Sequence, residues 1–351
     1  MIVRKDFLLF ILKKLGKVIF TVWVVTTLIF FLIRLMPSNP IQQYIQNLVV
    51  QYGVTYEEAS SRASTLFSMD LEASLLSQYL TYMQDAIRLD FGTSFLSPGV
   101  EVTSIIAARL PWTLFTVGSG LLLSFIVGTV LGAVAAYRRE SWYEPIISGT
   151  SSFLSAIPDF LIAIFLILFF GVFTWGGRGS IVPIFQLRGN FSPGVTPGWN
   201  MPFISSVLDH AFLPILTYFF SQIGIWVILM KGSTAGCLNA DYATIARARG
   251  LKPRKILGSY IGRNAMLPIV TEFAMRLGFI IGGSLIIEQL FVYQGVGLEL
   301  LKATNNRDYP LMQAIFLVMT VAIVLSNLLA EILYGVLDPR IRAKGGRKGA
   351  K

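Results

Sequence analysis

Six long runs of mostly apolar residues limit what this chain can fold into. They lie at about 17–36, 112–136, 146–173, 210–231, 265–290 and 311–337. A helix of about 20 apolar residues crosses the hydrocarbon layer of a membrane, so each run is long enough to span it. Lipid offers the backbone no hydrogen bonds, and the alternation of apolar and polar residues typical of a membrane barrel is absent from these runs. The sequence therefore predicts an all-α, polytopic membrane protein with six transmembrane helices.

The composition agrees with a chain that is partly solvated by lipid. Of its 351 residues, 54% are hydrophobic and 14% are charged, and the mean hydropathy is +0.66. Soluble domains carry about 25% charged residues. A soluble core could not bury this much apolar sequence, so a water-soluble globular fold is excluded.

The positive charges predict the orientation of the chain in the membrane. Residues 1–17, the loops 137–144 and 231–264, and the segment after 338 hold 20 of the 29 lysines and arginines. Cytoplasmic segments of membrane proteins are enriched in these residues. Both termini and both loops are therefore predicted to be cytoplasmic. The net charge of +10 is a topology signal, and we expect no nucleic-acid partner.

The predicted spans divide the chain into four parts. Residues 1–36 hold the cytoplasmic N-terminus and the first span, and residues 37–111 form an extracytoplasmic segment. Residues 112–342 form a five-helix core, and residues 343–351 form a basic cytoplasmic tail. Apolar residues recur at helical spacing over 55–89 of the external segment. This spacing predicts a small helical cap outside the membrane.

The cytoplasmic loop 239–264, between the fourth and fifth spans, has an unusual pattern of helix signals. Asn239 or Asp241 can cap a short helix, Gly250 suits the left-handed position that ends it, and Pro253 favours the start of a second helix. A helix of about nine residues is only about 13 Å long and cannot span a membrane. We therefore predict two short helices at the cytoplasmic face. The small residues Ala243, Ala246 and Ala248 would permit close approach to another surface.

Residues 241–250, Asp-Tyr-Ala-Thr-Ile-Ala-Arg-Ala-Arg-Gly, are followed by Arg-Asn-Ala-Met-Leu-Pro at 263–268. This pair of segments closely resembles the coupling-loop signature of ABC importer permeases, in the variant of the dipeptide/oligopeptide permease family. Further motifs similar to that family occur in the expected order at 31–37, 89–94, 109–114, 307–310 and 337–342. The sequence departs from the family pattern at Ser38-Asn39, at Tyr260 and in the length of 41–88.

The resemblance implies the permease subunit of an ATP-driven, binding-protein-dependent importer in the prokaryotic plasma (inner) membrane. Such a subunit forms the translocation pathway, here for peptides or oligosaccharides. It implies as partners a second, related permease, two ATP-binding subunits, an extracytoplasmic solute-binding protein and membrane lipid. The resemblance also implies which residues contact the ATPase. They are Asp241, Thr244, Ala246, Arg247, Arg249 and Gly250.

The sequence predicts a subunit that is not an enzyme and has no catalytic residues. It contains no phosphate-binding Gly-x-x-x-x-Gly-Lys-Ser/Thr loop, so we expect ATP to be bound by partner subunits and no cofactor by this chain. With one histidine, His210, and one cysteine, Cys237, no metal site is predicted. An ion-gradient-driven secondary transporter, which would need no ATPase partner, stays open as the alternative.

A few charged residues lie within the predicted spans. Glu272 and Arg276 are four residues apart and can pair on one helix face, either as a structural pair or as a contact in the pathway. Charged groups in a membrane usually face the interior of a helix bundle. Asp159 and Glu288 are expected near the outer water.

Overall fold

A computed structural model describes residues 2–35, 40–67, 74–97, 99–172, 186–280, 282 and 285–337. Within these ranges the regular structure is helical, apart from one isolated bridge between Thr93 and Glu101, which confirms the all-α class. The predicted tail 343–351 and most of the 337–342 motif lie outside the described residues. The chain divides into two compact units. Unit 1 is Met1–Pro111 with Gly295–Val324, and unit 2 is Trp112–Gln294 with Leu325–Lys351.

The helices vary widely in length. In chain order they are α1 (Ile2–Arg34), α2 (Pro40–Tyr52), α3 (Tyr56–Phe67), α4 (Leu75–Arg88), α5 (Val102–Tyr137), α6 (Glu144–Ala156), α7 (Asp159–Leu166), α8 (Met201–Leu238), α9 (Asp241–Ala248), α10 (Pro253–Lys255), α11 (Arg263–Ile280), α12 (Leu285–Leu290), α13 (Val296–Asn306) and α14 (Tyr309–Leu337). Two π-helical segments, Ile167–Val172 and Ile256–Gly262, follow α7 and α10.

Four stretches of helix in the described residues are long and apolar enough to cross a membrane. They are Leu12–Leu32, Val102–Tyr137, Met201–Leu238 and Tyr309–Leu333. The bent pair of α6 and α7 can supply a fifth crossing. The predicted run 265–290 is represented by α11 and α12, and α11 carries three charged residues among its 18. The chain is thus a multi-pass membrane protein, and the count of six spans stays a prediction.

The third predicted run, 146–173, is not one continuous helix. Its two helices, α6 and α7, meet at an angle of 101°. Pro158 lies at the break, and Ile157 before it has extended backbone angles (φ −83°, ψ 126°). A proline pushes the preceding residue out of the helical region, which explains why α6 ends here. Asp159 starts α7, and its carboxylate accepts a hydrogen bond from the Phe160 amide at 2.9 Å.

In unit 1 the predicted external helices are present as α3 and α4, with residues 68–73 outside the description. Ile45 of α2 packs with Ala59 and Ala63 of α3 in a small apolar cluster. Tyr79 of α4 shares a hydrogen bond of 2.8 Å with Thr27 of α1. The segment from 40 to 88 therefore has its own packed contacts, as expected of an ordered helical cap.

In unit 2 the backbones of α5 and α8 approach closely. A Cβ atom added at Gly128 would lie 2.6 Å from the Cβ of Trp226 and 3.0 Å from the carbonyl oxygen of Ile223. On α8, Gly224 allows a similar approach to the carbonyl of Ser151 in α6. Small residues at helix contacts are how membrane helices gain van der Waals packing, because lipid supplies no hydrophobic drive between them.

Candidate functional site

The loop after α8 carries the predicted coupling helix. Helix α9 starts at Asp241, and its N-cap is Ala240, which has extended backbone angles and makes no side-chain cap hydrogen bond. The expectation that Asn239 or Asp241 caps this helix is therefore wrong, because Ala240 occupies the cap position. Asp241 lies instead in the first turn, where its negative charge is favoured by the helix dipole.

Gly250 ends α9 in the way that its position in the sequence predicts. Its φ is +71°, a left-handed conformation. The Gly250 amide donates to the carbonyl of Arg247 at 2.9 Å, and the Leu251 amide donates to the carbonyl of Ala246 at 3.3 Å. These two bonds form a Schellman motif, which satisfies carbonyls at the helix end and turns the chain.

The two faces of α9 differ in burial. Ala243 and Ala246 are 0% and 1% exposed, and they pack on Leu238, Ile256 and Ile261 of their own unit. The methyl group of Ala246 thus packs against its own chain, and the expectation that Ala246 contacts an ATPase subunit stays a prediction. The small size of both alanines lets α9 lie close to the helices behind it.

The exposed face of α9 contains the other predicted contact residues. Thr244, Arg247, Arg249, Gly250 and Asp241 are all exposed. Ile245, which sequence reasoning did not single out, is 58% exposed. An exposed branched apolar side chain between two buried alanines is a signal that helical periodicity could have given. We call the exposed set of Asp241, Thr244, Ile245, Arg249 and Gly250 the coupling face.

Arg247 attaches α9 to the helix before it. Its guanidinium Nη2 donates to the carbonyl oxygen of Leu238, the last residue of α8, at 3.1 Å. Carbonyls at a helix C-terminus lack partners within the helix, and a basic side chain can satisfy one of them. Arg247 is therefore a residue that positions α9 as well as one that is exposed beside the coupling face.

The second short helix begins at Pro253, as predicted, but the helical backbone does not end within the loop 239–264. After α10 the chain continues as the π-helical segment Ile256–Gly262 and passes directly into α11. Gly262 ends the π-helical segment, but it does not have the left-handed backbone angles with which a glycine terminates a helix. The loop 239–264 is therefore joined to α11 by continuous helical backbone.

The predicted pair of Glu272 and Arg276 is present on α11. The guanidinium Nε of Arg276 donates to Glu272 Oε1 at 2.9 Å, and Nη1 donates to Gln222 Oε1 of α8 at 2.9 Å. The Arg276 Cζ atom lies 5.4 Å from the ring centroid of Trp226, which is fully buried. The four residues form a polar group beside an apolar cluster, and we call it the Arg276 group. Its role in a pathway stays a prediction.

Other charged contacts in unit 2 join residues far apart in sequence. Glu288 is 2% exposed and accepts a hydrogen bond of 2.7 Å from Thr113 Oγ1, so the expectation that it lies near outer water is wrong. Lys231 of α8 pairs with Glu144 at the start of α6 and donates to Ser148 at 2.7 Å. No local pattern predicts these partners, because they are 83 or more residues apart.

Two of the motifs that carry the family resemblance meet in unit 1. Asp308, which is fully buried, accepts hydrogen bonds from Ser94 Oγ, from the Leu96 amide at 3.1 Å and from the Leu311 amide at 3.2 Å. The segment 89–94 is thereby fixed to the start of α14. Among the described residues, no group of three or more metal-ligating side chains occurs, and His210 is buried with its Nδ1 2.7 Å from the Ser206 carbonyl oxygen.

The fold and the site define a multi-pass helical membrane protein with a short helix exposed in a loop between its long helices. Residues 128–343 match the family model for the inner membrane component of binding-protein-dependent transport systems. The match covers more than half of the chain, so the protein belongs to this family of ABC importer permeases. Its members are transport components of the inner membrane and not enzymes. Membership implies, in general terms, a partner permease, ATPase subunits and a solute-binding protein.

The relatives of the chain cover nearly its whole length. A protein of Brucella suis biovar 1 that is named as a peptide permease is 30% identical to this chain over 318 residues. The match covers 90% of this chain and 93% of the relative. The oligopeptide transport system permease protein AppB of Bacillus subtilis is 29% identical over 318 residues, 90% of this chain and 94% of the relative. The dipeptide transport system permease protein DppB of the same organism is 27% identical over 333 residues, covering 95% and 97%. These matches favour the ATP-driven importer over an ion-gradient-driven transporter.

Proposed function

We propose that this chain, with a second, related permease, forms the pathway by which peptides enter a prokaryotic cell. A binding protein delivers the peptide outside, and two separate subunits bind and hydrolyse ATP inside. The names of the relatives, which are permeases for peptides, oligopeptides and dipeptides, favour peptides over oligosaccharides as the solute. Their coverage of nine-tenths or more of this chain supports a common role for the whole subunit.

The proposal includes six spans with both termini in the cytoplasm. The 20 of 29 basic residues on the predicted cytoplasmic side support this orientation. In this arrangement α11 and α12 together supply the fifth span, α6 and α7 supply the third, and residues 37–111 lie outside. The loop 239–264 then lies at the cytoplasmic face, where it can reach the ATPase subunits.

The coupling face of α9 is the surface that we propose for the ATPase contact. The observation that supports this contact is the difference between the two faces of α9. One face holds buried alanines, and the other is exposed and has the apolar side chain of Ile245 at its centre. An apolar anchor with charged neighbours is typical of protein-binding surfaces. Because α9 is bonded to α8 and continuous backbone joins the loop to α11, a displacement of the coupling face would move both helices.

A photo-crosslinking experiment tests this contact. We expect a benzophenone amino acid in place of Ile245 to cross-link to an ATPase subunit when the complete importer is assembled in membranes. The same amino acid in place of Glu57, which is exposed on α3 in the predicted external segment, should give no such product. Equal cross-linking from both positions, or cross-linking from position 57 alone, would contradict both the contact and the orientation.

A further inference from the structure

The Arg276 group is a charged arrangement whose outer edges form no bonds within the described chain. The hydrogen bonds of Arg276 use Nε and Nη1, and the ion pair uses Oε1 of Glu272. Within the described ranges, Arg276 Nη2 and Glu272 Oε2 have no hydrogen-bond partner. The side chains of Arg276 and Glu272 are 27% and 31% exposed. The ion pair is therefore partly exposed at the surface of its own unit and keeps unused hydrogen-bonding capacity.

The position of the pair in the chain indicates what its exposed edge faces. Arg276 lies 13 residues after the start of α11, about 20 Å along the helix at 1.5 Å per residue. If α11 belongs to a membrane span, as the proposed function requires, this depth lies inside the hydrocarbon layer. A charged side chain there costs about 2.5–3.5 kcal/mol when it faces lipid. The exposed edge is therefore directed at water or at protein, and the proposed translocation pathway offers both.

We propose that the Arg276 group is a transient binding site for the carboxylate of a peptide in the translocation pathway. This inference rests on the proposed peptide import and names the residue that receives the solute. The guanidinium is held in place by Glu272 on one side, Gln222 on the other and the Trp226 ring beneath. A fixed planar guanidinium is the group that binds a carboxylate through two parallel hydrogen bonds.

Gln222 and Glu272 have different parts in this site. The Gln222 side chain is neutral, so a peptide carboxylate can replace its oxygen at Nη1 with a gain in electrostatic attraction. Glu272 keeps the empty site neutral and weakens binding of a second carboxylate. Weak binding suits a conduit, because a solute that binds too tightly would not leave. A neutral oligosaccharide would gain no charge pairing here, so the site favours solutes with a carboxylate.

The test uses the complete importer in proteoliposomes with its binding protein and ATP. The solute is an equimolar library of tri- to pentapeptides, supplied as free acids and as C-terminal amides, and uptake is measured by mass spectrometry per ATP hydrolysed. In Gln222→Glu a permanent carboxylate competes for the guanidinium, and we expect uptake of free acids to fall about tenfold. Gln42→Glu, the same change at an exposed residue of α2, serves as the control and should transport like the wild type.

A second variant removes both charges and separates binding from assembly. Glu272→Gln with Arg276→Gln leaves no unpaired charge, so ATP hydrolysis stimulated by the loaded binding protein should persist while uptake of free acids per ATP falls. Equal losses for acids and amides in either variant, or normal uptake of free acids by Gln222→Glu, would overturn the site. If the wild-type importer takes up no peptide at all, the proposed function fails instead, so the two failures are distinguishable.

Discussion

Ser94 donates a hydrogen bond to the carboxylate of Asp308, a residue 214 positions later in the chain. Amides from Leu96 and Leu311 bond to the two oxygens of the same carboxylate. The carboxylate therefore connects the loop that holds Ser94 and Leu96 to the first turn of α14 within unit 1. A buried charge is tolerated only when its oxygens are satisfied in this way.

Removal of this carboxylate should destabilise unit 1. Asp308→Ala leaves two buried donors, the Ser94 hydroxyl and the Leu311 amide, without their acceptor, and each costs about 1–3 kcal/mol. Ser94→Ala removes one donor and should cost about 1 kcal/mol. The measurement is the thermal unfolding midpoint of the detergent-solubilised protein, together with the rate of proteolysis in the segment 89–101. Asp90→Ala is the control, because that carboxylate accepts a hydrogen bond from the exposed Gly92 amide. A midpoint for Asp308→Ala equal to that of Asp90→Ala would contradict the assigned role.

The close approach of α5 and α8 in unit 2 gives a second prediction. Gly128→Ala places a methyl group 2.6 Å from the Cβ of Trp226 and should destabilise the packing by about 1–3 kcal/mol. Gly118→Ala is a matched control on the same helix, because its added Cβ has no neighbour within 4 Å. We expect the unfolding midpoint of the first variant to fall and that of the second to stay unchanged. If both variants behave alike, the contact at Gly128 is looser than the structure indicates.

The predicted orientation can be tested by thiol labelling in a Cys237→Ser background. A cysteine in place of Glu57, which is exposed on α3, should react with a membrane-impermeant reagent applied from outside. A cysteine in place of Gly345 should react only after the membrane is opened. The physical reason is the excess of basic residues on one side, which sets the direction of insertion. The reverse pattern of labelling would place the coupling face outside the cell and remove the basis for an ATPase contact.

The sequence predicts features that depend on residues close together in the chain, and it does not predict contacts between distant residues. The apolar runs, the helical spacing of the external segment, the turn at Gly250 and the pair of Glu272 with Arg276 depend on neighbours within about one helical turn, so local patterns predict them. The break at Pro158 has a local cause, but its angle of 101° does not follow from it. The bond between Thr113 and Glu288 joins residues 175 apart, and local periodicity holds no information on it.

Ala246 shows a different limit of prediction. A small residue permits close packing on either side of a helix, and the sequence does not state which neighbour it meets. In the structure, Ala246 packs against residues of its own unit, and Ile245 is exposed. The resemblance to the family predicts the segment, while the division between buried and exposed residues required coordinates.

Gly250 provides the last test, because its role depends on backbone conformation alone. At φ +71° a β-branched residue is strained by about 1–3 kcal/mol, although a Cβ atom there would have open space around it. Gly250→Val should therefore leave the protein in the membrane but displace α9, so that ATPase association or uptake per ATP decreases. Arg249→Glu should give the same result through reversed charge on the coupling face. Gly258→Val is the matched control, since Gly258 also has open space but lies in helical backbone without a positive φ. Membrane abundance, co-purified ATPase and uptake are measured for all three. Full uptake with normal ATPase association in both Gly250→Val and Arg249→Glu would show that this loop does not couple ATP hydrolysis to transport.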